Sequence, residues 1–311
     1  MHVESTAFGR VRALAVAPAW FVRLAALELF ALWLIVATGA AVRLTDSGLG
    51  CRHWPGCEAG HPLPAKDYHA YIEFGNRVVG GVTIVITLAV AVLARWTPLG
   101  RRAKQLALAL FLGTLAQAPL GYLAVKTDLR WPVVTAHLLL SMLLLAGAVV
   151  LFFFAVELTA GRTEPLFPLE LRRLGLGLAV AGLVLIVSGA LATAAGPHSG
   201  GGTTQVHRLA RFEPVLYTHA AVVAVFGCSF LFLLGYLAAR RSRAPRVFAA
   251  ALAVLAVLLV QVGLGELQYR LHLPWYLVLI HVAVAATAWA GIVGLVTALW
   301  RPPSWLAPAR A

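Results

Sequence analysis

Eight stretches of this chain are long and apolar enough to cross a membrane, and that constrains its fold before any motif is read. A spanning helix needs about 20 mostly apolar residues. The runs lie at roughly 23–43, 73–95, 105–125, 133–156, 174–194, 214–239, 247–267 and 275–299. They are continuous, rich in Leu and Ala, and too long to be strands of a closed barrel, the other architecture that satisfies backbone polar groups in lipid. The first run follows a segment carrying Arg10 and Arg12 and has no short apolar core ending in a small-residue cleavage site, so it reads as an uncleaved helix. The expected fold is all-α, a polytopic membrane protein of eight transmembrane helices.

Charge agrees with that reading. The 311 residues are 61% hydrophobic and 12% charged, whereas a soluble domain is about one-quarter charged. The net charge of +13 would suggest nucleic acid only if the basic residues gathered on one solvated face. Here they sit in short clusters between apolar runs. A soluble enzyme, a DNA-binding module and a disordered tail protein are excluded. With eight spans both termini share one side. That side holds Arg10, Arg12, Arg23, Arg95, Arg101, Arg102, Lys104, Arg162, Arg172, Arg173, Arg240, Arg241, Arg243, Arg246, Arg301 and Arg310, sixteen of the 25 basic residues. The positive-inside bias places it in the cytoplasm, with the protein in the cell (inner or plasma) membrane.

The chain also repeats itself. Sliding it by 144 residues lays Gln117 on Gln261, Leu120-Gly121 on Leu264-Gly265, Trp131 on Trp275, His137 on His281 and Ala146-Gly147 on Ala290-Gly291. Coincident Gln, Trp and His carry more weight than Leu or Ala in so apolar a chain. Four spans per half is an even number, so the halves are parallel four-helix-bundle repeats related by an axis along the membrane normal. Residues 1–157 form the first half, 158–173 a cytoplasmic linker and 174–311 the second half.

Polar residues at membrane depth are costly and mark function by default. His137, His219 and His281 fall inside spans, each one to two turns from the outer end of its helix. His219 and His281 belong to the second and fourth helices of the second half. Two imidazoles facing each other across an apolar bundle suit the two axial positions of a haem iron. The bland alternative is that each His bonds a neighbouring helix. Zinc or copper is a third, although such sites usually add carboxylate or Cys ligands. The nearest thiol, Cys228, lies deeper and reads as packing. In the first half the position matching His219 is Asn76, 61 residues before His137. It stands with Glu73 and Arg77 on one helix face. Glu73 and Arg77 are either an interfacial ion pair or, beside an iron pocket, a proton or electrostatic partner for chemistry.

The outer loops hold further candidates. Cys51 and Cys57 bracket Arg52-His53-Trp54-Pro55-Gly56 and are either a structural disulfide or a pair that passes electrons. His53, His61 and His69 share this loop and read as solvated. The segment Gly196-Pro197-His198-Ser199-Gly200-Gly201-Gly202 lacks the Lys of a phosphate loop; it lets backbone approach a ligand or close over the bundle. Arg43, Arg77, Lys126, Arg130, Arg208, Arg211 and Arg270 lie near outer helix ends. They would pair with haem propionates or snorkel to headgroups.

On these residues the chain resembles the haem A synthase family, from the first span to the eighth. The resemblance rests on Gly48-Leu-Gly-Cys51 and Trp54-Pro-Gly-Cys57, Glu73-Phe-Gly-Asn76-Arg77, Gly196-Pro197-His198, and His137, His219 and His281. It implies oxidation of the C8 methyl of haem O to the formyl of haem A, with water supplying the formyl oxygen through a hydrated aldehyde. His219 and His281 would be axial ligands of a haem b cofactor in the second half. The first half would hold the substrate haem, with His137 on its iron and Asn76 and Arg77 beside it. Glu73 matches the family's functionally important glutamate and is the candidate catalytic residue, and Cys51/Cys57 match its outer-loop cysteine pair. The family usually has His where this chain has Asn76, which leaves His137 as the one imidazole there and an open axial position opposite. Implied partners are haem O, membrane lipid, a haem O synthase and an electron donor, with no nucleic acid. A non-catalytic b-type electron carrier and, more weakly, a secondary transporter compete with this reading.

Overall fold

The computed structural model describes residues 16–306, apart from 52, 55, 59, 61, 62, 65, 202–205, 207 and 210. Arg10, Arg12, Arg310, Arg52, Pro55, His61 and Gly202 from the readings above lie outside the described residues. Eight long helices cover most of what remains: α1 (Pro18–Leu44), α2 (Tyr68–Leu93), α3 (Arg101–Lys126), α4 (Trp131–Ala160), α5 (Leu169–Ala195), α6 (Phe212–Ala239), α7 (Pro245–Arg270) and α8 (Trp275–Trp300). Each is long and apolar enough to cross a membrane, so the chain is an all-helical, multi-pass membrane protein. The helices overrun most of the expected spans by a few residues, because polar first and last turns lie beyond the apolar runs.

Proline sets many of the starts. Pro18 and Pro245 open α1 and α7, Pro132 lies in the first turn of α4, and Pro168 and Pro274 stand just before α5 and α8. These positions need no intrahelical N–H, which is why proline is tolerated there. Asp67 caps α2 by accepting the N–H of Ala70 at 3.1 Å, meeting one of the free donors of the first turn. Gly161 ends α4 at φ 72°, a conformation open to residues without Cβ. Because α4 reaches Ala160 and α5 starts at Leu169, the connection between the halves is shorter than the expected 158–173 linker. It is held by the chain's end: Thr163 N–H donates to Pro302 O at 3.0 Å, and Ser304 N–H to Gly161 O at 3.1 Å.

The 144-residue repeat extends to the turns. Asp128 and Leu129 adopt φ 50° and 58° between α3 and α4; His272 and Leu273 both adopt 60° between α7 and α8. Leu129 N–H donates to Ala124 O at 2.8 Å, and Leu273 N–H to Gln268 O at 2.7 Å. No glycine supplies these left-handed residues, so the bonds across the turn offset a backbone cost of order 1–3 kcal/mol per residue.

One apolar core lies among α1–α4 and takes in Ala286, Trp289 and Val293 of α8. A second joins α5–α8. Where the halves meet, Trp33 Nε1 donates to Thr287 Oγ1 at 3.0 Å and Trp289 Nε1 to Met142 O at 2.9 Å. Arg301 holds Glu157 through two bonds of 2.7 and 2.6 Å. The halves differ in one respect: α6 and α7 meet far less extensively than α2 and α3. Cys228 is exposed rather than packed as the sequence suggested, because it lies on the outward side of α6.

Candidate functional site

The three expected ligands, His137, His219 and His281, and the matching Asn76 sit on equivalent helices, and each backs onto a glycine of the neighbouring helix. His219 of α6 faces Gly189 of α5; a Cβ there would lie 3.2 Å from His219 Cε1. His281 of α8 faces Gly265 of α7 at the same 3.2 Å. In the first half His137 lies against Gly121, and Asn76 Oδ1 against Gly39, each 3.9 Å from such a Cβ. The missing side chains let flat polar groups lie close to a helix backbone.

The hydrogen bonds follow the same plan. Ser188, the residue before Gly189, places Oγ 2.8 Å from His219 Nδ1. Thr38, the residue before Gly39, donates to Asn76 Oδ1 at 2.8 Å. On the other side of each bundle stands a glutamine. Gln261 Nε2 lies 3.0 Å from His281 Nε2, and since a glutamine amide nitrogen only donates, the imidazole nitrogen accepts. Gln117 instead donates to His137 O at 3.2 Å and Ser141 Oγ at 2.7 Å. Nδ1 of both His137 and His281 is buried without a partner.

The sequence did not flag Thr38-Gly39 and Ser188-Gly189. They are 150 residues apart, whereas the visible repeat runs at 144. Loops of unequal length shift the register, so an ungapped comparison passes over them. A search for a hydroxyl-Gly-Ala triplet in the first helix of each half finds both, at Thr38-Gly39-Ala40 and Ser188-Gly189-Ala190.

One turn from Asn76 on α2, Glu73 is buried and fully engaged. One carboxylate oxygen accepts the N–H of Cys51 at 2.7 Å, and the other accepts Arg77 at 2.5 Å. Arg77 continues into the loop, donating to His53 O at 2.6 Å and Gly56 O at 2.5 Å. Cys51 and Cys57 form a disulfide, and both are buried against Ala70 and Phe74. The ion-pair reading of Glu73 and Arg77 therefore holds, with an addition: the pair buckles the disulfide loop onto α2. Gly50 is needed for this approach, since a Cβ there would lie 2.6 Å from the His69 carbonyl carbon. His53 and His69 are exposed, although His69 Nδ1 meets Ser47 Oγ at 3.0 Å.

The glycine-rich segment closes over the bundles. Arg43 donates to Thr193 O at 2.9 Å and His198 O at 3.1 Å. Gly48 N–H donates to Gly200 O at 2.9 Å, Asp46 accepts Gly200 N–H at 3.1 Å, and His198 Nε2 donates to Leu273 O at 2.7 Å. Loops of both halves thus interlock on the disulfide face. Arg43 is part of this lock through two of its nitrogens, and Arg270 pairs with Glu266 at 2.6 Å.

The donor set fits a haem. His219 and His281 bring two imidazoles from α6 and α8, and Gly189 and Gly265 leave room at both rings. Among the described residues no three His, Cys, Asp or Glu gather as a bare metal site would need.

Known proteins resemble this chain in sequence. Residues 22–293 match the model of the COX15-CtaA family, described as cytochrome oxidase assembly protein. A heme A synthase of Shewanella oneidensis is 27% identical over 315 residues, covering 87% of this chain and 94% of that protein. The heme A synthase of Bacillus pumilus is 32% identical over 151 residues, 48% of this chain and 49% of the relative. That of Symbiobacterium thermophilum is 43% identical over 94 residues, 30% of each. The aligned chain thus spans about half the length of the Bacillus relative and less of the Symbiobacterium one. The family match runs from α1 into α8 and takes in every residue of the site, so the chain belongs to the COX15-CtaA family of cytochrome oxidase assembly proteins.

Proposed function

We propose that this chain is a haem A synthase, an oxidoreductase that converts the C8 methyl of haem O to the formyl of haem A. The observation that carries the reading is the inequality of two otherwise matched half-sites. The second half pairs His219 with His281. The first pairs His137 with an amide, Asn76, one turn from the buried carboxylate of Glu73 and under a disulfide loop. A resident cofactor wants two strong axial ligands and no chemistry at its edge. A substrate wants to be held by fewer bonds beside groups that can move protons.

In this reading residues 174–311 hold a haem b through His219 and His281, which when bound supplies electron transfer. Residues 1–157 bind haem O, with His137 as the protein ligand to its iron. Asn76 is a poor iron ligand and is already bonded to Thr38, so its side leaves an axial position open. Glu73 is the catalytic carboxylate, and Arg77 holds it beneath the loop. The short connection 161–168 joins the two. The sixteen basic residues assigned to the side of both termini support a cytoplasmic location for that side, with the disulfide face on the outer side of the cell membrane. A haem O synthase would supply the substrate, and a separate donor or acceptor would exchange electrons.

The test is extraction of haems from cells that make haem O, with and without the protein, resolved by chromatography. Haem A that depends on the protein is expected. Unchanged haem A levels alongside a b-type spectrum would make the protein an electron carrier instead. The spectrum itself should be low-spin and lost in both His219→Ala and His281→Ala.

A further inference from the structure

A histidine that binds metal through one ring nitrogen usually donates the other N–H to a partner, and that partner sets tautomer, orientation and donor strength. For His219 the partner is Ser188. Its Oγ lies 2.8 Å from His219 Nδ1 and also 2.8 Å from the Leu185 carbonyl on its own helix. A hydroxyl has one proton. The carbonyl can only accept, so both contacts are met when Ser188 donates to Leu185 O and accepts the N–H of Nδ1. The ring is thereby held with its proton on Nδ1 and its lone pair on Nε2. Gly189, next in sequence, leaves room for the ring to come this close, since a Cβ there would stand 3.2 Å from Cε1.

The other three positions lack this device. His281 Nδ1 and His137 Nδ1 are buried without a partner. Thr38 in the first half has the place of Ser188 but meets an amide, and there the hydroxyl donates, to Asn76 Oδ1 at 2.8 Å. The same small-hydroxyl-plus-glycine step therefore supports a metal-binding group in one half and immobilises a non-binding one in the other.

We propose that Ser188 is a positioning residue for the haem ligand His219: its oxygen, fixed by Leu185 O, selects the Nδ1–H tautomer and strengthens the imidazole's donation to iron. The proposal rests on the haem reading above. An acceptor on Nδ1–H pushes electron density toward the metal and favours the ferric state, one of the means by which a protein tunes a haem.

The test is a redox titration of the purified holoprotein, followed by its b-type absorbance, together with its low-temperature EPR spectrum. Ser188→Ala should keep the haem and shift the ferric–ferrous equilibrium roughly tenfold toward ferrous, about 59 mV for one electron. The ferric EPR signal should shift with it. Ser188→Thr should restore both. Ser188→Cys, near-isosteric with a weaker acceptor, should move the potential in the same direction and serves if the alanine variant does not accumulate. An unchanged potential and EPR signal in either the Ala or the Cys variant overturns the proposal. A wild-type protein with no haem that depends on His219 would instead overturn the haem reading beneath it.

Discussion

The carboxylate of Glu73 accepts the backbone N–H of Cys51 at 2.7 Å, so the candidate catalytic side chain is also the anchor of the disulfide loop. Its second oxygen is held by Arg77, which reaches two carbonyls of the same loop. Each oxygen keeps a second lone pair for a proton, so these bonds fix where the carboxylate stands rather than whether it can titrate. Loop position and carboxylate position are thus one variable.

Glu73→Gln separates the two roles. The amide oxygen still accepts the Cys51 N–H, while the charge facing Arg77 is lost. Haem in the second half should be retained, with thermal unfolding in detergent showing a loss of about 2 kcal/mol, the scale of a hydrogen bond to a charged group. Haem A formation should fall by about 10²-fold or more, as for a lost acid–base group. Chromatography of extracted haems checks this, and undiminished conversion would remove Glu73 from the chemistry.

Gly50→Ala tests the loop's seat. The new Cβ would meet the His69 carbonyl carbon at 2.6 Å and its oxygen at 2.7 Å, and backbone atoms cannot rotate aside. The variant should lose about 1–3 kcal/mol, the usual cost of overpacking. Its Cys51–Cys57 bond should be reduced faster by a water-soluble phosphine, measured by thiol labelling. Wild-type reduction kinetics would contradict the close seating.

Asn76→His places a second imidazole opposite His137, against Gly39 and within reach of Thr38. A haem bound in the first half should then change from high-spin to low-spin in its absorption spectrum. Conversion should continue, since the family this chain resembles usually carries His at that position. A spectrum that stays high-spin would show that position 76 does not reach the iron.

Glu157 and Arg301 tie α4 to the end of α8 by a bidentate bond, and Arg301 also covers the Phe154 ring at 4.1 Å. In a double-mutant cycle with Glu157→Gln and Arg301→Ala, the coupling should be about 1 kcal/mol, at the upper end for partly exposed pairs because both bonds are well aligned. Arg301→Ala should cost more than Glu157→Gln, since it also loses the ring contact. Additive effects would show that the two side chains contribute no coupling across the junction between halves.

Much of this protein was legible in the sequence because lipid leaves a chain so few options. A backbone in hydrocarbon must satisfy its own polar groups, so eight apolar runs meant eight helices, and proline marked many of their starts. The repeat exposed His137, His219, His281 and the odd Asn76, since polar residues stand out against Leu and Ala. Only the tertiary structure decided what those residues touch. The rotation of α5 brings Ser188 to His219, and that of α1 brings Thr38 to Asn76; periodicity in helices this uniformly apolar does not specify either rotation. The path of the loop from Cys51 to Cys57 has no period to read at all. Its direction follows from Glu73, Arg77 and the space left at Gly50, contacts between segments far apart in the chain that exist only once the helices have packed.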